Sequence, residues 1–256
     1  GAIGAHGRRK AKEMLCLSNL RQWAVIWSIY TADNNGYFHK GRKVSGVDKD
    51  CWVYVLQDYH DKDDKIRCCP EASTPWWDKN GNDTGALNPF AAWGMLGPWW
   101  PGGGIKDAYY YGSYGIEDHL TNTGSKANWN HCNHAGTENI PVQLGCYFLS
   151  GWLLQGDGQE DCLYPPEYNG YFPDDPIGCG NMARFCLNRH NGKVNGVFMD
   201  FSARPIGLKE LWTLKWGPQF NTENAWTLAG NGGDYDATYQ KWADWGDGWL
   251  TDFKIY

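Results

Sequence analysis

Basic charge is scarce: 23 Lys and Arg stand against 29 Asp and Glu, a net charge of −6 over 256 residues. That balance argues against a nucleic-acid binder, which normally presents a basic face. No stretch approaches the roughly 18 consecutive apolar residues of a membrane span. Enzyme signatures are also missing. There is no Gly-x-Ser-x-Gly elbow, no phosphate-binding Gly-rich loop and no His-Glu-x-x-His helix. No two cysteines are spaced Cys-x-x-Cys, which removes the usual zinc-ribbon and thioredoxin patterns.

Aromatics, by contrast, are plentiful: 16 Trp, 15 Tyr and 9 Phe. Disordered chains are poor in such residues, so this chain folds, and its length suffices for a sizeable core. The 33 Gly and 12 Pro imply many turns and little long regular structure. Nine cysteines suit an oxidising compartment and predict disulfides, with one left over because nine is odd.

One long helical pattern stands out at residues 8–33. Cys16, Leu20, Trp23, Trp27 and Tyr30 recur at steps of three and four and share a face, which Val25, Ile26 and Ile29 widen. Asp33-Asn34-Asn35-Gly36 should end the helix. Beyond it, 37–180 reads as a large loop-rich insertion. Within it, Trp52 to Leu56 and Gly145 to Leu154 look like strands, while Thr74 to Gly104 and Pro165 to Gly180 look like loops. Asn191-Gly192 predicts a type I′ hairpin joining Ala183–Asn188 to Val194–Phe201. The expected fold is α+β: a long N-terminal helix on an antiparallel sheet, in a single domain over 1–256 with a disulfide-tied insertion. Residues 183–226 supply the hairpin and the segment after it.

Two separated motifs resemble one family. Cys16-Leu-Ser-Asn-Leu-Arg-Gln22, followed by Tyr30-Thr-Ala-Asp-Asn-Asn-Gly-Tyr37, resembles pilin-like proteins with a prepilin-type cleavage and methylation signal, related to type II secretion pseudopilins. Those proteins carry, near the C-terminus, a His, nine residues and Asp-Gly. Arg189-His-Asn-Gly-Lys-Val-Asn-Gly-Val-Phe-Met-Asp200 matches through His190 and Asp200, with Phe201 where Gly is expected. Leu211-Trp-Thr-Leu-Lys-Trp216 has the look of the family's tail. The resemblance implies a hydrophobic helix ahead of Gly1, anchorage in the inner membrane before assembly, and a globular part that is extracytoplasmic, in the periplasm or at the cell surface. It implies no catalysis: the partners are other pilin-like subunits or secretion-system components.

Several side-chain groups invite chemistry. Asp78, Asn80, Asn82 and Asp83 offer oxygen ligands at nearby positions, as calcium loops do, although the sixth position lacks Gly and the twelfth is Pro89. The competing reading is an ion-free Asx-turn loop. Trp76, Trp77, Trp99 and Trp100 could stack on a glycan, which makes a secreted carbohydrate-binding or adhesin module the alternative function. Loop-pinning is the other role open to them. His131, Cys132 and His134, with His119, are possible zinc donors at unfamiliar spacing. Glu160-Asp161 and Asp174-Asp175 could form a glycosidase pair, but acidic turns explain them as well. His190 and Asp200 would stand about 33 Å apart along a strand, too far for a dyad.

Overall fold

The computed structural model describes residues 2–41, 51–60, 64–76, 78, 82, 84, 88–96, 109–151, 164–166, 181–246 and 248–256. Helix α1 runs Ala2–Asp33. Its predicted inner face holds: Cys16, Leu20, Trp23, Trp27 and Tyr30 are all buried. Ile26 joins them, but Val25 and Ile29 point outward, 59% and 47% exposed. They lie on the side opposite the sheet, a half-turn from Trp23 and Trp27. The helix ends where the turn formers begin. Asn35 (φ 55°) and Gly36 (φ 83°) both take left-handed conformations, and the Gly36 amide returns to the Thr31 carbonyl at 2.7 Å. This satisfies a carbonyl the last turn would otherwise leave open.

The main sheet contains β4 (Tyr114–Glu117), β5 (Pro141–Gly145), β6 (Ser150–Gly151), β7 (Lys193–Phe198) and β8 (Ala203–Gly207). Their order is β6-β4-β5-β7-β8, antiparallel throughout except for the parallel β4/β6 pair. Helix α1 lies across β5, β7 and β8. A second sheet, β1-β2-β3, joins β1 (Thr74–Pro75), β2 (Ala91–Leu96) and β3 (Tyr109–Gly112). The mixed α+β class is therefore as expected, with two sheets instead of one.

Several local expectations are corrected. Trp52–Val55 is a short helix, α2, whose Tyr54 and Val55 amides bond the Cys51 carbonyl. A short apolar run does not distinguish a buried strand from a buried helical turn. Residues 74–104 contain β1 and β2; of the strand expected over Gly145 to Leu154, Gly145 closes β5, Ser150–Gly151 forms β6, and 152–154 lie outside the described residues. The turn at Asn191-Gly192 forms, with φ 53° and 81° and the His190 amide on the Lys193 carbonyl. The segment before it is not a strand, because 181–184 is a 3-10 turn. The partner of β7 is instead β8, reached through Asp200 and Phe201. Pro205 is tolerated because β8 is an edge strand.

No disulfide joins any two of the described cysteines. Tryptophans take over much of the tying together. Trp23, Trp52, Trp93 and Trp242 are buried and donate their indole N–H to the carbonyls of Ile66, Leu149, Tyr114 and Trp226 at 2.8–3.0 Å. Trp245 and Trp249 reach the carbonyls of Pro165 and Pro166 in the same way. An aromatic side chain buries roughly 150–250 Å². At about 25 cal/mol per Å² that is roughly 4–6 kcal/mol each before entropy is charged against it. Trp212 and Trp226 pack around Trp242 on α3 (Tyr235–Ala243), which Asp234 caps by accepting from the Ala237 amide.

Among the described residues, no helix is long and apolar enough to cross a membrane.

Candidate functional site

The sequence-derived ion and glycan sites are only partly within the described residues. Asp78 accepts the Asn82 backbone amide on one carboxylate oxygen (2.9 Å) and the Asn82 side-chain amide on the other (3.0 Å). The Asp78 amide returns to the Asn82 carbonyl, which closes a compact Asx loop. Asn80 and Asp83 lie outside the described residues, as do Trp77, Trp99, Trp100, Glu160-Asp161 and Asp174-Asp175. Trp76 is buried and packs edge-on against Tyr147, so it serves the interior and offers no platform.

The zinc candidates do not converge. His131 Nδ1 accepts from the Asn133 amide and Nε2 donates to the Asn35 carbonyl, so both ring nitrogens are occupied. His134 lies edge-on to Trp129. His119 is bound to Glu117 at the end of β4, and Glu117 also accepts the His119 backbone amide. Burial pushes the Glu117 carboxyl up to about 7. Burial lowers His119, but the Glu117 charge and hydrogen bond outweigh it and hold the imidazole above its ordinary value.

A different group does converge. Cys16, Cys69 and His190 bring one donor atom each to within 4.8 Å of one another, all three buried; no other group of three His, Cys, Asp or Glu does so among the described residues. The inner face of α1 delivers Cys16. A tight turn, in which the Ala72 amide bonds the Cys69 carbonyl, delivers Cys69, and Ser113 Oγ accepts the Cys69 amide at 2.6 Å. His190 opens the Asn191-Gly192 turn, and its Nε2 lies 3.3 Å from Cys69 Sγ. Tyr114 Oη donates to Cys16 Sγ at 3.2 Å.

Set against known protein families, curated proteins and solved structures, the chain matches none. The chemistry of the cluster therefore rests on its own geometry.

Arg189 stands beside the cluster, buried, with its guanidinium on the carbonyls of Pro89, Ala91, Ser113 and Cys146 and on no carboxylate among the described residues. A buried cation surrounded only by neutral acceptors favours negative charge nearby. Burial raises the Cys16 thiol, yet hydrogen bonds from Cys69, Tyr114 and Asn195, with the Arg189 charge, bring it below the ordinary thiol value. Burial and the neighbouring Cys16 push Cys69 well up.

A cleft of about 520 Å³ reaches His190 and Arg189 from the surface and is also lined by His6, Arg9, Glu13 and Glu71. Its mouth carries Lys10–Glu13 and Lys12–Glu71 ion pairs.

In the sequence Cys16 and His190 belong to the two family-like motifs, while Cys69 lies outside both. The signal the sequence had was the pairing of those motifs. What it lacked was the third contributor, brought in from residue 69 by the fold.

Proposed function

We propose that this chain is a non-enzymatic, pilin- or pseudopilin-like subunit of a bacterial secretion or surface fibre. It acts through assembly and extracellular contacts, from an extracytoplasmic position, anchored in the inner membrane by an apolar extension of α1 before assembly. Its partners are further pilin-like subunits or secretion-system components; the expected 37–180 insertion supplies β4, β5 and β6 to the main sheet, so outward contacts would fall to its segments outside those strands.

The observation that carries this reading is the disposition of α1. In its second half Trp27 bonds Gln143 of β5, and Leu20 and Trp23 are buried on the same face, while Arg8, Arg9 and Lys10 in its first half are exposed. Val25 and Ile29, with Leu15 ten residues earlier, form an apolar stripe on the outer side, 47–59% exposed and interrupted by Ser18 and Gln22. Such a stripe on a helix already packed on its other face suits neighbouring copies of the same helix in a fibre.

The test is a photo-crosslinking amino acid at Val25 in the full-length protein in its native cell. Subunits in a fibre give a ladder of crosslinked copies of this chain. Crosslinking that yields only monomer, with the protein released freely into the medium, contradicts the reading.

A further inference from the structure

We propose that Cys16, Cys69 and His190 form a binding site for a soft d10 metal ion, Zn²⁺ or Cu⁺. Two sulfurs and one imidazole nitrogen are the donor set these ions select, and a hard oxygen-seeking cation would find no ligand among the three. The donors arrive already gathered, from α1, from the turn after residue 67 and from the turn before β7, so little reorganisation separates the present arrangement from a coordinating one.

Charge points the same way. The buried guanidinium of Arg189 stands beside the donors on neutral carbonyls, so the thiolates that a bound ion would take as ligands have a compensating charge at hand. Polar atoms around the cluster are also left open. His190 Nδ1 and Asn195 Oδ1 are buried, and neither has a hydrogen-bond partner. Asn195 is 1% exposed and its side chain contacts Cys16. Buried groups of this kind are normally satisfied, and when they cluster at converging donors they mark a place built for a ligand. Tyr114 and Ser113 act as outer partners that orient Cys16 and Cys69. The surface cleft lined by His190 and Arg189 lies on the His190 side of the cluster.

The test uses the complete chain, reduced and handled anaerobically. It is titrated with Zn²⁺ against a chromophoric chelator and, separately, with Cu⁺ against a copper(I) chelator. One equivalent of either ion should bind, and X-ray absorption should show two sulfurs and one nitrogen around it. Cys69→Ser and His190→Gln should each weaken binding by more than the roughly 100-fold that losing an outer partner costs. Cys132→Ser, outside the cluster, should bind as the parent does. If Cys69→Ser fails to fold by near-ultraviolet circular dichroism, the absorption spectrum of the parent protein still decides. Absence of stoichiometric binding of both ions, an all-oxygen or all-nitrogen shell, or unchanged affinity in folded Cys69→Ser and His190→Gln overturns the proposal.

Discussion

The indole Nε1 of Trp27 donates to the side-chain oxygen of Gln143 across 3.0 Å, and both residues are fully buried. This bond ties α1 to β5, the middle strand of the main sheet. The other side-chain atom, Gln143 Nε2, is buried without a partner. Trp27→Phe therefore strands the whole amide. Chemical denaturation should show a loss of about 1–3 kcal/mol for the orphaned amide, with a further loss for the vacated volume. In a Gln143→Leu background the same substitution should cost at least about 1 kcal/mol less, because no polar group is left stranded. Equal costs in the two backgrounds would mean that the bond adds nothing.

Stability should fall as pH rises toward and past neutrality. The folded Glu117 carboxyl is raised from 4.5 to about 7, and His119 is raised above 6.5. Between those values the folded state binds more protons than the unfolded one. Stabilisation is complete at the acidic end and is lost as pH climbs through the folded values. Asp118, the other charge acting on both groups, pushes each in the same upward direction. Thermal melts across this range should decline with pH in the parent and flatten in Glu117→Gln. A melt that rises through the same window would contradict the sign.

Phe201 holds φ at 62° in the link between β7 and β8, a conformation that favours glycine. Its ring packs against the core, so Phe201→Ala loses contact and keeps the strain. Phe201→Gly should then be the more stable of the two variants by about 1 kcal/mol, reversing the usual order of Ala and Gly. Urea midpoints of the two proteins check this. An alanine variant as stable as the glycine one would show that the backbone there relaxes freely.

Gly36 sits under the His131 ring. A β-carbon there would lie 2.1 Å from His131 Nε2, and its φ of 83° already disfavours any side chain. Gly36→Ala should be strongly destabilising. In a His131→Ala background the penalty should drop toward the strain alone, about 1–2 kcal/mol. An undiminished penalty in the double variant would place the cost elsewhere than in this contact.

These residues also show how far the sequence carries. The buried stripe from Cys16 to Tyr30 was legible because a period near 3.6 says which side faces the core, and the stop at Asn35-Gly36 because left-handed turns select those residues. Val25 and Ile29 misled: being apolar does not fix which face a residue takes once the core-facing arc is full. The turn at Asn191-Gly192 was readable, but not its strand, since the run Met182 to Leu187 is buried on all sides and carries no periodicity. Strand β8 was hidden by Pro205 and Arg204, residues that only an edge position excuses. The Cys16–Cys69–His190 cluster was not legible at all, because the distances in sequence, 53 and 121 residues, encode nothing about convergence. Burial of sulfur and imidazole together appears only once three separate turns of chain are in place.

The most direct measurement of the assembly account is the N-terminus of the native protein, by mass spectrometry of membrane and sheared-surface fractions. The account predicts a processed, N-methylated residue opening an apolar stretch ahead of Gly1. A conventional signal-peptidase cut close to Gly1, with no apolar helix retained, would contradict it.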